Sequence, residues 1–215
     1  MPKDTFLNLP EEKRRLIEEV ALDEFAEFGF NNASINRIVK AAGIAKGSFY
    51  QYFEDKADVF MHIVAVVGQK KAEYISPVLL NPEDHDFFTL LEELYRSGLA
   101  FTKDHPKASK IGFEIFNNQT NLLLDDLFQE NRRSGYAFFN PLIDKAIARG
   151  EIDPDIDKPF IIHMLLEMQV ASIKFFLQNN EKGSLDDDIM PTIHLMLNFI
   201  KNGIHAKNKE NHPND

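Results

Sequence analysis

Two short helical segments separated by a glycine turn limit the fold of this chain more than any other feature of its sequence. Residues 35–42 have one apolar face, and residues 46–53 bring Phe49 and Phe53 together on one side, four residues apart. Between the two segments, Gly43 permits the left-handed backbone that a tight turn needs. Two short helices joined in this way, after a longer helix, indicate a helix-turn-helix.

The rest of the chain also carries helical patterns, and strand-like alternation is absent. Gly29 is the expected C-terminal cap of the first helix, and Ser34 and Asp55 are expected N-caps of later ones. Pro141 is expected to kink or split a long helix. Besides the two short helices, we predict helices over about residues 10–28, 56–75, 87–103, 106–116, 122–149, 158–180 and 185–201. The predicted fold class is all-α, with an N-terminal three-helix helix-turn-helix domain and a larger C-terminal helical domain.

The distribution of charge singles out the same N-terminal region. The net charge of −10 argues, for the chain as a whole, against a nucleic-acid-binding protein. Between Glu27 and Glu54, however, there is no acidic residue, whereas Arg37, Lys40 and Lys46 are present. The alternative is chance clustering, but a local excess of positive charge on a helix-turn-helix favours a phosphate-bearing partner.

The third helix has an unusual outward face. Projected at about 100° per residue, it places Gly47, Ser48, Gln51 and Tyr52 opposite its two phenylalanines, with Tyr50 at the margin. A helix face in solvent normally carries Lys and Glu, but this one carries small, hydrogen-bonding and flat groups. Such a face fits a groove lined with base edges and phosphates.

Two residues here contradict local preferences. Gly47 costs a helix roughly 1 kcal/mol relative to alanine, and close approach of a partner would justify it. Lys56 stands in the first turn of the next helix, where the helix dipole disfavours a cation unless an anion such as phosphate joins it. Stray glycines and surface lysines are common, so each observation is weak alone, and their coincidence favours DNA.

The segment GFNNASINRIVKAAGIAKGSFYQYFEDKADVF, residues 29–60, resembles the DNA-binding domain of the TetR (tetracycline-repressor-like) family of bacterial transcription regulators. Within it, AGIAKGSFYQYFEDK is similar to the recognition-helix signature of that family. The resemblance covers roughly residues 10–60. A weaker resemblance, in GEIDPDIDKPF at residues 150–160, is to the segment that leads into the dimerisation helices of the family.

The resemblance implies a role for each matching position. Residues that would touch phosphates are Ser34, Lys46, Ser48, Tyr52 and Lys56. Residues at or near base edges would be Gly47, Tyr50 and Gln51. Arg37 would reach either a phosphate or a base. The implied domains are a DNA-binding domain over residues 10–70, with its helix-turn-helix at about 34–53, an effector-binding and dimerisation domain over 71–205, and a disordered tail over 206–215.

The helix predicted over residues 158–180 is apolar on nearly all sides, which indicates burial from two directions. With the helix over 185–201 it would form a four-helix interface in a homodimer, the alternative being a monomer that covers both sides itself. The resemblance also implies an effector pocket for an apolar or amphiphilic molecule, with simple core packing as the alternative. Its candidate lining residues are Phe101, Phe113, Phe116, Phe138, Met164, Met168 and Gln169.

We therefore expect a homodimeric, ligand-responsive regulator, most simply a repressor that a small molecule releases from double-stranded DNA carrying an inverted-repeat operator. A helical protein–protein adaptor would explain the acidic composition but not the acid-free segment, and an enzyme is disfavoured because phosphate-loop, dinucleotide and nucleophile motifs are absent. No metal or cofactor is expected. The absence of cysteine, of a signal-peptide core and of a membrane-length apolar run predicts a cytoplasmic protein.

Overall fold

Every regular element of the described residues is a helix. The computed structural model describes residues 2–117, 121–180 and 187–204. Short 3₁₀ turns lie at Pro82–Asp84 and Asp187–Ile189. The α-helices are α1 (Asp4–Leu7), α2 (Glu11–Asn32), α3 (Ile35–Ala41), α4 (Lys46–Tyr52), α5 (Lys56–Ala72), α6 (Pro77–Leu80), α7 (Phe87–Asp104), α8 (Pro106–Asn117), α9 (Leu122–Ala148), α10 (Lys158–Asn179) and α11 (Met190–Ile204).

The all-α prediction is confirmed, and most predicted helices end within a few residues of the observed ones. The short helices α1 and α6 were missed. Pro141 lies inside α9, which continues through it. The last helix begins later than predicted, at Met190, because a 3₁₀ turn precedes it. The predicted disordered tail, residues 206–215, lies outside the described residues.

The described residues form two compact units. The first comprises those within 1–74 and 104–128, and the second those within 75–103 and 129–204. The first unit therefore contains more than the predicted domain of residues 10–70, because α8 and the beginning of α9 share its core. That core is built by apolar side chains from α1 to α5, α8 and α9, among them Phe6, Ile17, Phe25, Ile38, Phe49, Phe53, Phe60, Ile111, Ile115 and Leu124.

Gly29 ends the straight part of α2 with a left-handed backbone conformation, φ 69°, as its cap position predicted. The backbone amide of Phe30 then donates to Oε1 of Glu114 on α8, at 2.6 Å. A Cβ at position 29 would lie 2.7 Å from that same oxygen, which the flexible Glu114 side chain could move away, so the positive φ is the reason for a glycine here. Burial raises the pKa of the Glu114 carboxyl, while the Phe30 amide and the nearby Lys56 oppose this shift.

The connections around α4 are tightly specified. Gly43 adopts φ 64°, and the amide of Ile44 donates to the carbonyl of Val39 at 3.0 Å. At the start of α5, the Asp55 carboxylate accepts the amide of Asp58 at 2.9 Å, which confirms the predicted cap. The Asp58 carboxylate in turn accepts the amide of Glu54 at 3.0 Å. This reciprocal capping fixes the corner between α4 and α5.

The second unit is built from α6, α7, most of α9, α10 and α11. Its core contains apolar side chains from four of these helices, including Phe87, Leu91, Tyr95, Phe139, Ile143, Ile161, Ile162, Leu165, Ile193, Met196 and Ile200. Among the described residues, α10 alone is long and apolar enough to cross a membrane by length and composition, a test that core helices of soluble proteins also pass.

Candidate nucleic-acid interface

One stripe of α4 faces away from the core of the first unit. Lys46, Gly47, Tyr50 and Gln51 are exposed, and Ser48 is half-buried. The stripe follows the spacing of one helix face, because the exposed positions lie one and four residues apart. The predicted outward position of Gly47 and Gln51 is confirmed, and the stripe carries a single formal charge, that of Lys46.

The placement of Tyr52 was predicted wrongly. Its side chain, which was expected to face outward, is 7% exposed, whereas that of Tyr50, which was expected at the margin, is 45% exposed. The ring of Tyr52 lies 6.0 Å from the ring of Phe6, between centroids. The cause is α1, which was not predicted and which covers the side of α4 that an isolated helix would expose. A phosphate contact by the Tyr52 side chain is therefore not supported.

Gly47 has no structural partner that would require a glycine. Its φ lies outside the left-handed region, and nothing of the rest of the chain would lie within 4 Å of a Cβ built there. The helix thus carries a residue of low helix propensity at an open, exposed position. The packing of the first unit therefore does not require a glycine at this position, and the same holds for Gly68 on α5.

Lys56 has partners within the first unit. Its ammonium group donates to the carbonyls of Asn31 at 3.0 Å and Ala33 at 3.2 Å, and lies 4.9 Å from the centre of the Phe30 ring. Carbonyls at the C-terminal end of α2 therefore compensate the unfavourable position of this cation at the start of α5. A contact between Lys56 and a DNA phosphate stays a prediction. Such a contact is no longer needed to explain why a cation lies in the first turn of α5.

Arg37 is also held within the first unit. Its Nε donates to both carboxylate oxygens of Glu24, at 2.8 and 3.1 Å, and its Nη2 donates to the carbonyl of Asn32 at 2.8 Å. The guanidinium carbon lies 4.0 Å from the centre of the Phe28 ring. The hydrogen bond to Glu24, which is 8% exposed, raises the pKa of Arg37. Part of its hydrogen-bonding capacity is thus used within the first unit, and its contact with DNA stays a prediction.

Ser34 stands at the predicted N-cap position of α3, but its side chain makes no capping hydrogen bond. Its backbone amide donates instead to Oε1 of Glu24 at 2.7 Å. The same carboxylate that pairs with Arg37 therefore also binds the entry to the helix-turn-helix. Sequence reasoning missed this role of Glu24, although an acid one turn before the acid-free segment was a visible signal.

The predicted effector-pocket residues divide between the two units. Phe113 and Phe116 belong to the first unit, where Phe116 packs against the core, and the remaining five belong to the second. A cleft of about 650 Å³ in the first unit lies between α2, α5 and the region where α8 begins, and its walls include none of the seven. In the described part of the chain no group of three or more potential ligand side chains could hold a metal ion.

Comparison with known proteins gives a family match for the N-terminal segment. Residues 17–63 match the family model of bacterial regulatory proteins of the tetR family. The chain is 29% identical over 115 residues to the HTH-type transcriptional regulator RutR of Escherichia coli, a match that covers 54% of this chain and 53% of RutR. It thus spans about half the length of that relative. It is 23% identical to the fatty acid metabolism regulator protein of Bacillus subtilis, over 89% of this chain and 95% of that protein.

Solved structures extend the similarity to most of the chain. A TetR family transcriptional regulator from Chloroflexus aurantiacus is 28% identical, with a TM-score of 0.70 over 96% of this chain and 100% of that one. The regulator FadR from Bacillus subtilis, solved in complex with stearoyl-CoA, is 20% identical, with a TM-score of 0.71 over 89% of this chain and 99% of that one. The second likeness concerns the fold alone.

The two neighbouring tyrosines of α4 provide a test of this geometry. Tyr52→Ala should lower the free energy of unfolding by about 3 kcal/mol, because it removes a buried ring from the core of the first unit. Tyr50→Ala should change it by less than about 0.5 kcal/mol, because Tyr50 is exposed. Urea unfolding followed by circular dichroism measures both values. Equal effects of the two substitutions would contradict the assignment of the outward face.

Proposed function

Because this chain belongs to the TetR family of bacterial regulators, we propose that it is a sequence-specific DNA-binding transcription regulator that reads its operator with α4. The observation that carries the proposal is the outward stripe of Lys46, Gly47, Tyr50 and Gln51. Curated relatives carry the name of HTH-type transcriptional regulators. Proteins of this family are typically not enzymes. A helical adaptor would explain the acidic composition but not the acid-free segment.

The side chains at and near the stripe divide into those that suit base edges and those that suit phosphates. The Gln51 amide can bond an adenine bidentately, and the exposed Tyr50 ring offers a flat apolar surface and a hydroxyl. The ammonium group of Lys46 and the hydroxyls of Ser34 and Ser48 suit phosphate oxygens. Gly47 leaves room for the duplex backbone between them.

Selection of bound duplexes from a random library tests this function. We expect the wild-type protein to enrich one inverted repeat, because a dimeric helix-turn-helix places one recognition helix in each half-site. Sequencing of the bound fraction measures the enrichment. Recovery of no enriched sequence at low salt would contradict sequence-specific binding and would favour the adaptor.

Gly47 supplies a matched pair of variants for the same assay. Gly47→Leu should weaken binding to the selected duplex at least about tenfold, because the new side chain occupies the space in which the DNA backbone lies. Gly68→Leu, on α5, is the control, since a Cβ at either glycine meets no other atom within 4 Å. Fluorescence anisotropy measures both affinities, and an unchanged affinity of Gly47→Leu would remove α4 from the interface.

The proposed homodimer forms through α10 and α11. Phe160 and Phe175 on α10 are 57% and 59% exposed, and Leu195 and Phe199 on α11 are each 71% exposed. Large apolar side chains exposed on two helices that pack together mark an interaction surface. A second copy of the chain would cover them with the same surface, as a twofold interface requires.

A charge in this surface should dissociate the dimer. Phe199→Glu should raise the dimer dissociation constant by about 100-fold or more, because it buries an unpaired carboxylate at the centre of the interface. Leu80→Glu, at an apolar residue of α6 that is 67% exposed, is the control and should have no effect. Sedimentation equilibrium measures the constants. A wild-type monomer at micromolar concentration would refute the interface.

The proposed effector is a small apolar or amphiphilic molecule bound in the second unit. Five of the predicted pocket residues lie there, on three of its helices: Phe101, Phe138, Met164, Met168 and Gln169. Support for the class comes from the Bacillus subtilis FadR structure, which contains stearoyl-CoA. For release from DNA, the effector must bind the DNA-free conformation better than the DNA-bound one.

Stearoyl-CoA can be used to test whether the effector is an amphiphilic acyl compound. At micromolar concentration it should release the selected duplex, since its acyl chain can bury apolar surface in the second unit, whereas CoA without the chain should not. Fluorescence anisotropy follows the release. If neither stearoyl-CoA nor stearate releases the duplex, the effector is not an acyl compound. If CoA alone releases the duplex equally well, the protein recognises the nucleotide part and not the acyl chain.

A further inference from the structure

The N-terminal segment binds the last carbonyls of α4. The backbone amide of Lys3 donates to the carbonyl of Tyr52 at 2.8 Å, and the Lys3 ammonium group donates to that of Tyr50 at 3.1 Å. The hydroxyl of Thr5 donates to the carbonyl of Gln51. The last carbonyls of a helix have no partner inside it, so residues 3–5 supply partners to three consecutive carbonyls of the candidate recognition helix.

Phe6 anchors this segment to the core. Its side chain is fully buried, with ring centroids 4.7 Å from Phe53, 5.2 Å from His62 and 6.0 Å from Tyr52. The His62 ring is itself tied to α2, because Nε2 lies 2.8 Å from Oε1 of Glu18. Phe6 therefore packs into the corner between α4 and α5, against a ring that α2 holds in place.

The helix α4 depends on support from outside itself. It spans 7 residues, includes Gly47 at its start, and has no side-chain cap at Ala45. A helix of this length is not stable alone, so its orientation depends on what packs against it. The core holds its inner face through Phe49 and Phe53, and the N-terminal segment holds its final turn.

We propose that residues 3–6 form an N-terminal latch that holds α4 in the orientation in which Tyr50 and Gln51 reach the DNA. Lys3, Thr5 and Phe6 are then positioning residues for recognition, although none lies within residues 17–63, the segment that matches the family model. The inference rests on the proposed function, because it concerns the same helix. Lys3 and Thr5 act on backbone carbonyls beside the two outward side chains rather than on the DNA.

Thr5 gives the sharpest test, because Thr5 is exposed and its substitution leaves the core intact. Thr5→Val keeps the shape but removes the hydroxyl, and it should weaken binding to the selected duplex about 3- to 10-fold, which corresponds to one lost hydrogen bond. Thr5→Ser keeps the hydroxyl and should bind within about twofold of wild type. The ratio of affinities for the selected and a scrambled duplex should fall for Thr5→Val.

Substitutions of Phe6 provide a second test of the latch. Phe6→Ala should weaken DNA binding more than Thr5→Val does, at a temperature at which circular dichroism shows the protein folded. Phe6→Leu should restore most of the affinity, and Leu7→Ala, at an exposed residue of the same helix, should leave it unchanged. If both Thr5→Val and Phe6→Ala are folded and bind the duplex as wild type does, the latch is overturned.

Hydrogen exchange of the DNA-free protein separates failure of the latch from failure of the proposed function. In Thr5→Val the amides of residues 49–53 should exchange faster than in wild type, while those of α2 remain unchanged. Unchanged exchange in α4 overturns the latch whatever the DNA result. If wild type enriches no duplex but α4 exchange responds as expected, the latch on α4 stands and the DNA-binding function fails.

Discussion

The left-handed turn at Gly29 and the backbone that follows it are the constraint on which the helix-turn-helix depends. The chain leaves α2 here and must enter α3 within a few residues, which exposes amides and carbonyls that no helix satisfies. Charged side chains from four helices bind them: Glu24 from α2, Arg37 from α3, Lys56 from α5 and Glu114 from α8. The direction of α3, and through it of α4, follows from this junction.

The junction also determines how much positive charge the first unit presents to a partner. Arg37 and Lys56 lie in or beside the acid-free segment, yet their charges are directed to Glu24 and to backbone carbonyls. The exposed stripe of α4 is left with Lys46 as its charged member. Such a surface supplies hydrogen bonds and shape more than charge, so the proposed binding would rely on contacts with base edges and on the two half-sites that the proposed dimer would contact.

Features that depend on residues close together in the sequence were predicted correctly. Features that depend on contacts with residues far away in the chain were not. Glycine at positive φ and the Asp55 cap act within a few residues, so the helix-turn-helix and the start of α5 were placed correctly. Tyr52 was misplaced because projection of a single helix ignores a segment from elsewhere in the chain. Phe6, 46 residues earlier in the chain, decides which tyrosine of α4 is buried. The roles of Glu24 and Glu114 were missed for the same reason.

Residues that contradict local preference therefore divide into two groups once the structure is known. Gly29 and Lys56 have reasons inside the first unit, a positive φ in one case and carbonyl partners in the other. Gly47 has none, since the space around it is open and its backbone is ordinary. The space around Gly68 and Gly112 is equally open, so an open glycine alone does not identify a contact with a partner. Gly47 differs from them because it lies on the exposed stripe of the candidate recognition helix. We propose that α4 is the part of the first unit that contacts DNA, and that the exposed apolar side chains of α10 and α11 form the contact with a second copy of the chain.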